Sequence, residues 1–266
     1  MKVKFEEMFP WEFAQAVAEA PICYLPLGVL EWHGEHNAVG LDSIKSHAIC
    51  VQAAQQSGGV VVAPLYWATD SHEEVEGTYL TGGVEHGERY HVPGNMFWIR
   101  RETFHNLLLD IYEAMRRRGF QVIVVVSGHW SEATLSVVRV SGEEFVAQHS
   151  GVKWLLLTDQ EVAADVGYLH EHAAGGETSL LMAVRPDLVD LSKTLESDGE
   201  LRSHYVKERE HIERRRKTEH KYIGVFTAVE DDSNDPELTA NVDRGEMLLE
   251  IIAKRIAERA RVLLLE

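Results

Sequence analysis

The stretch QVIVVVSGHWSEATLSVV (121–138) decides the fold. Its first half is an uninterrupted apolar, β-branched run, the pattern of a strand covered on both faces. A Ser-Gly-His turn then hands over to a helical pattern that continues to about residue 148. The same grammar recurs along the chain. ICYLPLG (22–28) precedes a helical pattern at about 43–56, and VVVAP (60–64) and KWLLL (153–157) are further short apolar runs. Helical patterns follow at about 101–118, at about 178–185 before Pro186, and at about 240–264, where Val242, Met247, Leu248, Ile251, Ile252 and Ile256 fall near helical spacing. Strand and helix in alternation predict right-handed crossovers and a parallel sheet. The fold class is therefore α/β, and 266 residues are expected to form a single domain over 1–266.

Charge narrows the partners. With 43 acidic against 26 basic residues the net charge is −17, which disfavours nucleic acid and anionic membrane surfaces. The basic cluster at 214–217 is embedded among acids, and the stretch from about 196 to 220 reads as a solvated charged face. A small-molecule substrate, neutral or cationic, is expected. Cys23 and Cys50 each lie within an apolar stretch, which fits buried free thiols in a reducing cytoplasm rather than a disulfide framework. The N-terminal MKVKFEEMFPWEF lacks the apolar run of a signal peptide, and no stretch reaches membrane-span length, so the expected location is cytoplasmic. Residues 66–98, rich in Gly and His, form the longest loop-like piece, and such loops often cover binding sites.

The candidate site lies where these strands end. Glu31 and His33 follow the first apolar run with one residue between them, so in extended chain both side chains point the same way. That position, at the carboxyl end of a parallel strand, is where open α/β sheets place ligands. His129 leaves the run at 121–128 at the same edge. Asp42 stands ahead of a helical pattern, where it would serve either as an N-cap or as a carboxylate returning to the sheet edge and bridging two cations. Glu132 is an alternative ligand, although a glutamate in a first helical turn more often serves the helix itself. Glu177 opens a helical pattern after the AAGG turn, five residues beyond His172. Imidazole and carboxylate donors suit divalent Zn, Mn or Fe, and His172 titrates in the range needed to pass a proton to a leaving nitrogen while metal-activated water attacks a carbonyl. His36 and His72, each in a glycine-containing loop near the edge, are expected to touch substrate or to support the residues that do.

At these residues the sequence resembles the creatininase family of metal-dependent amidohydrolases. LPLGVLEWHGEHNAVGLD (25–42) looks like the family's strand followed by Glu-x-His-Gly-x-His and an aspartate, SHEEVEGT (71–78) is similar to a loop in which a histidine precedes Gly-Thr, and HAAGGETSLLM (172–182) resembles the His-Ala-Gly pattern with Glu-Thr-Ser. The resemblance implies Glu31, His33, Asp42, His129 and Glu177 as metal ligands, His172 as the catalytic residue, and His36 and His72 as site residues. It also implies a three-layer α/β/α fold with a mostly parallel sheet, two divalent ions, and a homo-oligomer, often a hexamer. Departures fall in the pocket: Trp32, Ser127, Trp130, Ser131 and Gly175 replace the family's usual residues, and the loop from Thr81 to Trp98 is longer and is expected to cap the cleft. Trp130 is therefore expected in the substrate pocket, and Ser131 shifts an acidic ligand's duty to Glu177. The expected reaction is hydrolysis of a carbon–nitrogen bond in a small cyclic amide or amidine, or a formamide. The alternatives are ring opening of a keto-inositol at a carbon–carbon bond by a relative's chemistry, and a metal-binding module without catalysis.

Overall fold

The structure, a computed structural model, describes residues 2–34, 36–69, 72–75, 78–81, 99–168, 172–194 and 236–266. The charged stretch from about 196 to 220 lies outside the described residues, as do the side chain of His72 and, beyond Thr81 itself, the loop from Thr81 to Trp98 expected to cap the cleft. The elements run α1 (Pro10–Glu19), β1 (Ile22–Leu27), α2 (Leu41–Ser57), β2 (Val60–Val61), β3 (His72–Val75), β4 (Thr78–Thr81), α3 (Arg101–Arg116), β5 (Val122–Ser127), α4 (Glu132–Gln148), β6 (Lys153–Thr158), α5 (Asp159–Ala163), α6 (Gly175–Val184), α7 (Pro236–Thr239) and α8 (Val242–Leu265).

The central sheet has the order β2-β1-β5-β6 and every pairing in it is parallel. Side chains of a strand alternate between its faces, and here the alternation sorts the core into two halves. Ile22, Tyr24, Val122, Val124 and Val126 pack with Ile49 and Ala53 of α2, Leu180 of α6, and Leu248, Ile252 and Ile256 of α8. Cys23, Leu25, Leu27, Ile123 and Val125 face Ala16 of α1, Phe104, Leu108 and Tyr112 of α3, and Val137, Val138 and Phe145 of α4. This is the expected three-layer α/β/α arrangement. It explains the unbroken apolar runs, since neither face of β1 or β5 meets water.

Two readings are amended. VVVAP (60–64) contributes only Val60 and Val61 to the sheet, and the region read as irregular over 66–98 contains the antiparallel pair β3–β4. Helix α1, unforeseen in the sequence, starts on a proline at its first turn, with the Glu12 carboxylate accepting the Phe9 backbone N–H at 2.8 Å. Cys23 and Cys50 are buried and free. Among the described residues no helix is long and apolar enough to cross a membrane.

Register positions the site. Leu27 pairs with Ser127, and Ser127 with Thr158, so the three strands end level and Gly28, Gly128 and Asp159 leave the sheet along one edge. The first turn of α2 is pressed against that edge. A Cβ on Gly28 would lie 2.3 Å from Ser43 N, and one on Gly128 would lie 2.3 Å from Asp42 O. Only glycine allows this approach, and the approach carries Asp42 to the strand ends.

Candidate metal centre

Each donor reaches the edge by a different route. Glu31 and His33 come from the segment after β1, pinned where Glu31 N–H donates to the Val39 carbonyl at 2.9 Å. His129 follows β5, where Ser127 Oγ donates to its carbonyl at 2.7 Å. Asp42 belongs to α2, whose N-cap is Gly40, so the N-cap reading gives way: its side chain is buried and turned to the histidines. Glu177 sits in the first turn of α6.

These routes converge. His129 Nδ1 lies 3.0 Å from Glu31 Oε2 and 3.2 Å from Asp42 Oδ2, and His33 Nε2 lies 3.2 Å from Asp42 Oδ1 and 4.0 Å from Glu177 Oε2. Among the described residues three overlapping donor sets result: Glu31, Asp42 and His129; His33, Asp42 and Glu177; and Glu31, His33 and His172, with donor atoms within 4.8 Å of one another in each. His33 Nδ1 donates to the Glu31 carbonyl at 3.0 Å, which leaves Nε2 as the nitrogen facing the carboxylates. His172 Nε2 donates to the Trp32 carbonyl at 3.2 Å, and its ring stacks 4.6 Å from that of His33. Ala173, the next residue, holds a positive φ of 53°.

A divalent cation fits this arrangement. Glu31 Oε2, Asp42 Oδ2 and His33 Nε2 are buried without a hydrogen-bond partner, although histidine and carboxylate atoms stand about them at 3.0–3.2 Å. Buried polar atoms are rarely left so, and lone pairs aimed together inward are what a cation requires. The electrostatics agree. Burial opposes charge on Asp42, yet His33, His129 and Lys45 hold it well below the usual carboxylate range. Burial likewise opposes protonation of His33, and Asp42, Glu177 and Glu31 overcome it, pushing it up to about 9. The pocket strongly favours positive charge.

One such charge is built in. Lys45, one helical turn after Asp42, has no exposed surface. Its ammonium donates to Glu177 Oε1 and to Tyr168 Oη at 3.3 Å, and stands 3.1 Å from Asp159 Oδ2 and 3.6 Å from Asp42 Oδ1. Burial works against its charge, but Asp159 and Glu177 hold its pKa well above the ordinary value. Tyr168 in turn donates to Asp159 Oδ2 at 2.8 Å. Sequence reasoning missed Lys45, Asp159 and Tyr168. The rule that selected His129, a polar residue just past an apolar strand, would have selected Asp159.

The remaining expected site residues lie as follows. His36 is buried behind α6, with Nε2 accepting from Asn37 Nδ2 at 3.0 Å and lying 3.1 Å from Thr178 Oγ1. Trp130 is about one-third exposed, next to His129. Glu132 points away from the cluster and pairs with Arg139 at 3.1 Å, in keeping with a residue of the exposed helix face.

A family model described as creatinine amidohydrolase matches residues 6–260. The chain belongs to the creatininase family. It is similar to the creatinine amidohydrolase of Pseudomonas putida, with 26% identity over 203 residues that cover 70% of this chain and 74% of that one. Solved creatininases share the fold. One superposes with a TM-score of 0.69 at 23% identity, covering 97% of this chain and 96% of that chain. A creatininase with Mn (TM-score 0.70, 23% identity) and a mutant creatininase of Zn-Zn type (TM-score 0.69, 23% identity) each cover 98% of both chains. The protein is a creatininase-family hydrolase with a candidate metal-binding site at the carboxyl edge of its sheet.

Proposed function

We propose that this protein, as a single cytoplasmic domain that assembles as a homo-oligomer, hydrolyses a carbon–nitrogen bond of a small cyclic amide or amidine, or of a formamide. The metal centre of this reading is drawn from Glu31, His33, Asp42, His129 and Glu177, in donor sets that share Asp42, and the sequence resemblance implies two ions there. Divalent Zn, Mn or Fe bound there supplies Lewis-acid activation of the carbonyl and of water. The observation that carries the reading is the convergence of buried carboxylate and imidazole atoms without hydrogen-bond partners beside the half-buried His172 at one strand edge.

In this reading His172 moves the proton. Its Nε2–H is committed to the Trp32 carbonyl, so Nδ1 is the basic nitrogen. Burial lowers its pKa against the pull of Glu31, which keeps the ring neutral near pH 7 and ready to accept a proton and deliver it to the leaving nitrogen. Trp130 lies against the apolar face of the substrate. His36, bonded to Asn37 and next to Thr178, supports the turn that carries His172 and Glu177. The site faces substrate from a chain of net charge −17, which favours neutral or cationic ligands.

The test is turnover of cyclic amides, cyclic amidines and formamides by metal-loaded, metal-stripped and Glu31→Gln proteins, with keto-inositols as a parallel arm. Loss of at least about 10²-fold in kcat/KM is expected on stripping and in Glu31→Gln, since activation of both reactants goes with the ion. Full activity in a folded, metal-free Glu31→Gln protein would exclude the mechanism, and turnover confined to the keto-inositols would replace the substrate class.

A further inference from the structure

The two donor sets that share Asp42 differ in their surroundings. In the first, Glu31 Oε2 and Asp42 Oδ2 are buried and accept no hydrogen bond, and His129 Nδ1 stands 3.0 Å and 3.2 Å from them. In the second, His33 Nε2 is likewise without a hydrogen-bond partner, but both oxygens of Glu177 are engaged, Oε1 by the Lys45 ammonium and Oε2 by the Ala173 backbone N–H at 2.5 Å. The same ammonium lies 3.6 Å from Asp42 Oδ1, the oxygen on the side of the second set. An ammonium has donors and no lone pair, so Lys45 cannot ligate an ion. It competes for the oxygens an ion would use, and at such range in a buried site two cations repel strongly. Lys45 has no route away from this position, because it is fully buried and also held by Asp159 and Tyr168.

We infer that this centre takes a single divalent ion, held by Glu31, Asp42 and His129, and that the Lys45 ammonium stands in for a second ion beside His33, Asp42 and Glu177. The inference rests on the metal-centre reading and departs from the two-ion count that the resemblance implies. Glu177 then acts as the acceptor that fixes Lys45 and the turn at Ala173, and His33 as a partner that orients Asp42.

Metal content decides the matter. Full-length protein is saturated with Mn(II), freed of excess by gel filtration, and examined by elemental analysis and electron paramagnetic resonance. One Mn per chain with the hyperfine spectrum of an isolated ion is expected, while two per chain with the spectrum of a spin-coupled pair overturns the inference and leaves the metal-centre reading standing. No retained Mn, repeated with Zn(II) and Fe(II), overturns both. In Glu177→Gln the single ion is retained, whereas Asp42→Asn loses about tenfold or more in affinity; an equal loss in Glu177→Gln counts against the assignment. Lys45→Met, which removes the charge and keeps the length, is expected to gain a second ion, and a folded Lys45→Met protein still limited to one ion shows that Lys45 is no stand-in. The wild-type stoichiometry decides even if Lys45→Met does not fold.

Discussion

Burial lowers the pKa of both His36 and His172, and the two make separate predictions. His36 accepts a hydrogen bond from Asn37 in a buried site, and desolvation pulls its pKa down to about 4. The unfolded chain holds that proton more tightly, with a pKa of about 6.5. Stability from neutral His36 is therefore complete above pH 6.5 and is lost as pH falls toward 4, by up to about 1.4 kcal/mol per pH unit and about 3 kcal/mol in all. Denaturant midpoints measured from neutral to acid pH are expected to fall less steeply in His36→Asn than in wild type, and parallel slopes refute the assignment. Among the described residues His172 makes no hydrogen bond to a carboxylate, its Nε2 donating to the Trp32 carbonyl. For His172→Ala we expect a fall in kcat of about 10²–10⁴ with unchanged ion content, checked by steady-state kinetics and elemental analysis on the same sample. The donors were readable in the sequence because parallel strands must release their next residues at one edge, which singles out Glu31, His33 and His129. Lys45 was not readable, since a lysine in a helical pattern reads as solvated until the neighbouring layers bury it. Asp42 was half readable: its place near the site followed from the short loop, while its position inside the helix, past the cap, followed only from coordinates.

At the level of elements, the contact between α2 and the ends of β1 and β5 governs the site. Gly128→Ala would place a methyl 2.3 Å from the Asp42 carbonyl oxygen, a backbone atom that cannot rotate away. The helix must shift, with an expected loss of about 1–3 kcal/mol in stability and a fall in metal affinity. Gly151→Ala, with no atom within 4 Å of the new Cβ, is the control expected to change neither. Chemical denaturation and metal titration of both variants check this pair of outcomes. The strands and long helices were legible because β1 and β5 are apolar on both faces and the helices repeat their apolar residues. Helix α1 and the β3–β4 pair were not, because the first is short and announced mainly by its proline and Glu12, and the second has no sustained alternation in HEEV and TYLT.

For the whole molecule, an ion bound as proposed, between the segment after β1, α2 and the segment after β5, would tie together pieces far apart in the chain. Native-state binding adds stability by mass action, about 2.7 kcal/mol at a free-ion concentration of 100 times Kd, which corresponds to about 5–10 °C in Tm. Thermal melts with and without chelator are expected to differ by that order, and coincident melts argue against binding in the native state. The buried ammonium of Lys45 has a further consequence, for maturation. An interior that gathers Glu31, Asp42, Asp159 and Glu177 would repel itself if all its neutralising charge came from outside. With one counter-charge supplied by its own backbone-linked side chain, the polypeptide can close around the cluster first and receive its ion afterwards. Refolding from denaturant should accordingly run at the same rate with Mn(II) present or withheld, and acceleration by the ion would mean that the metal is a nucleus of folding instead of a late arrival.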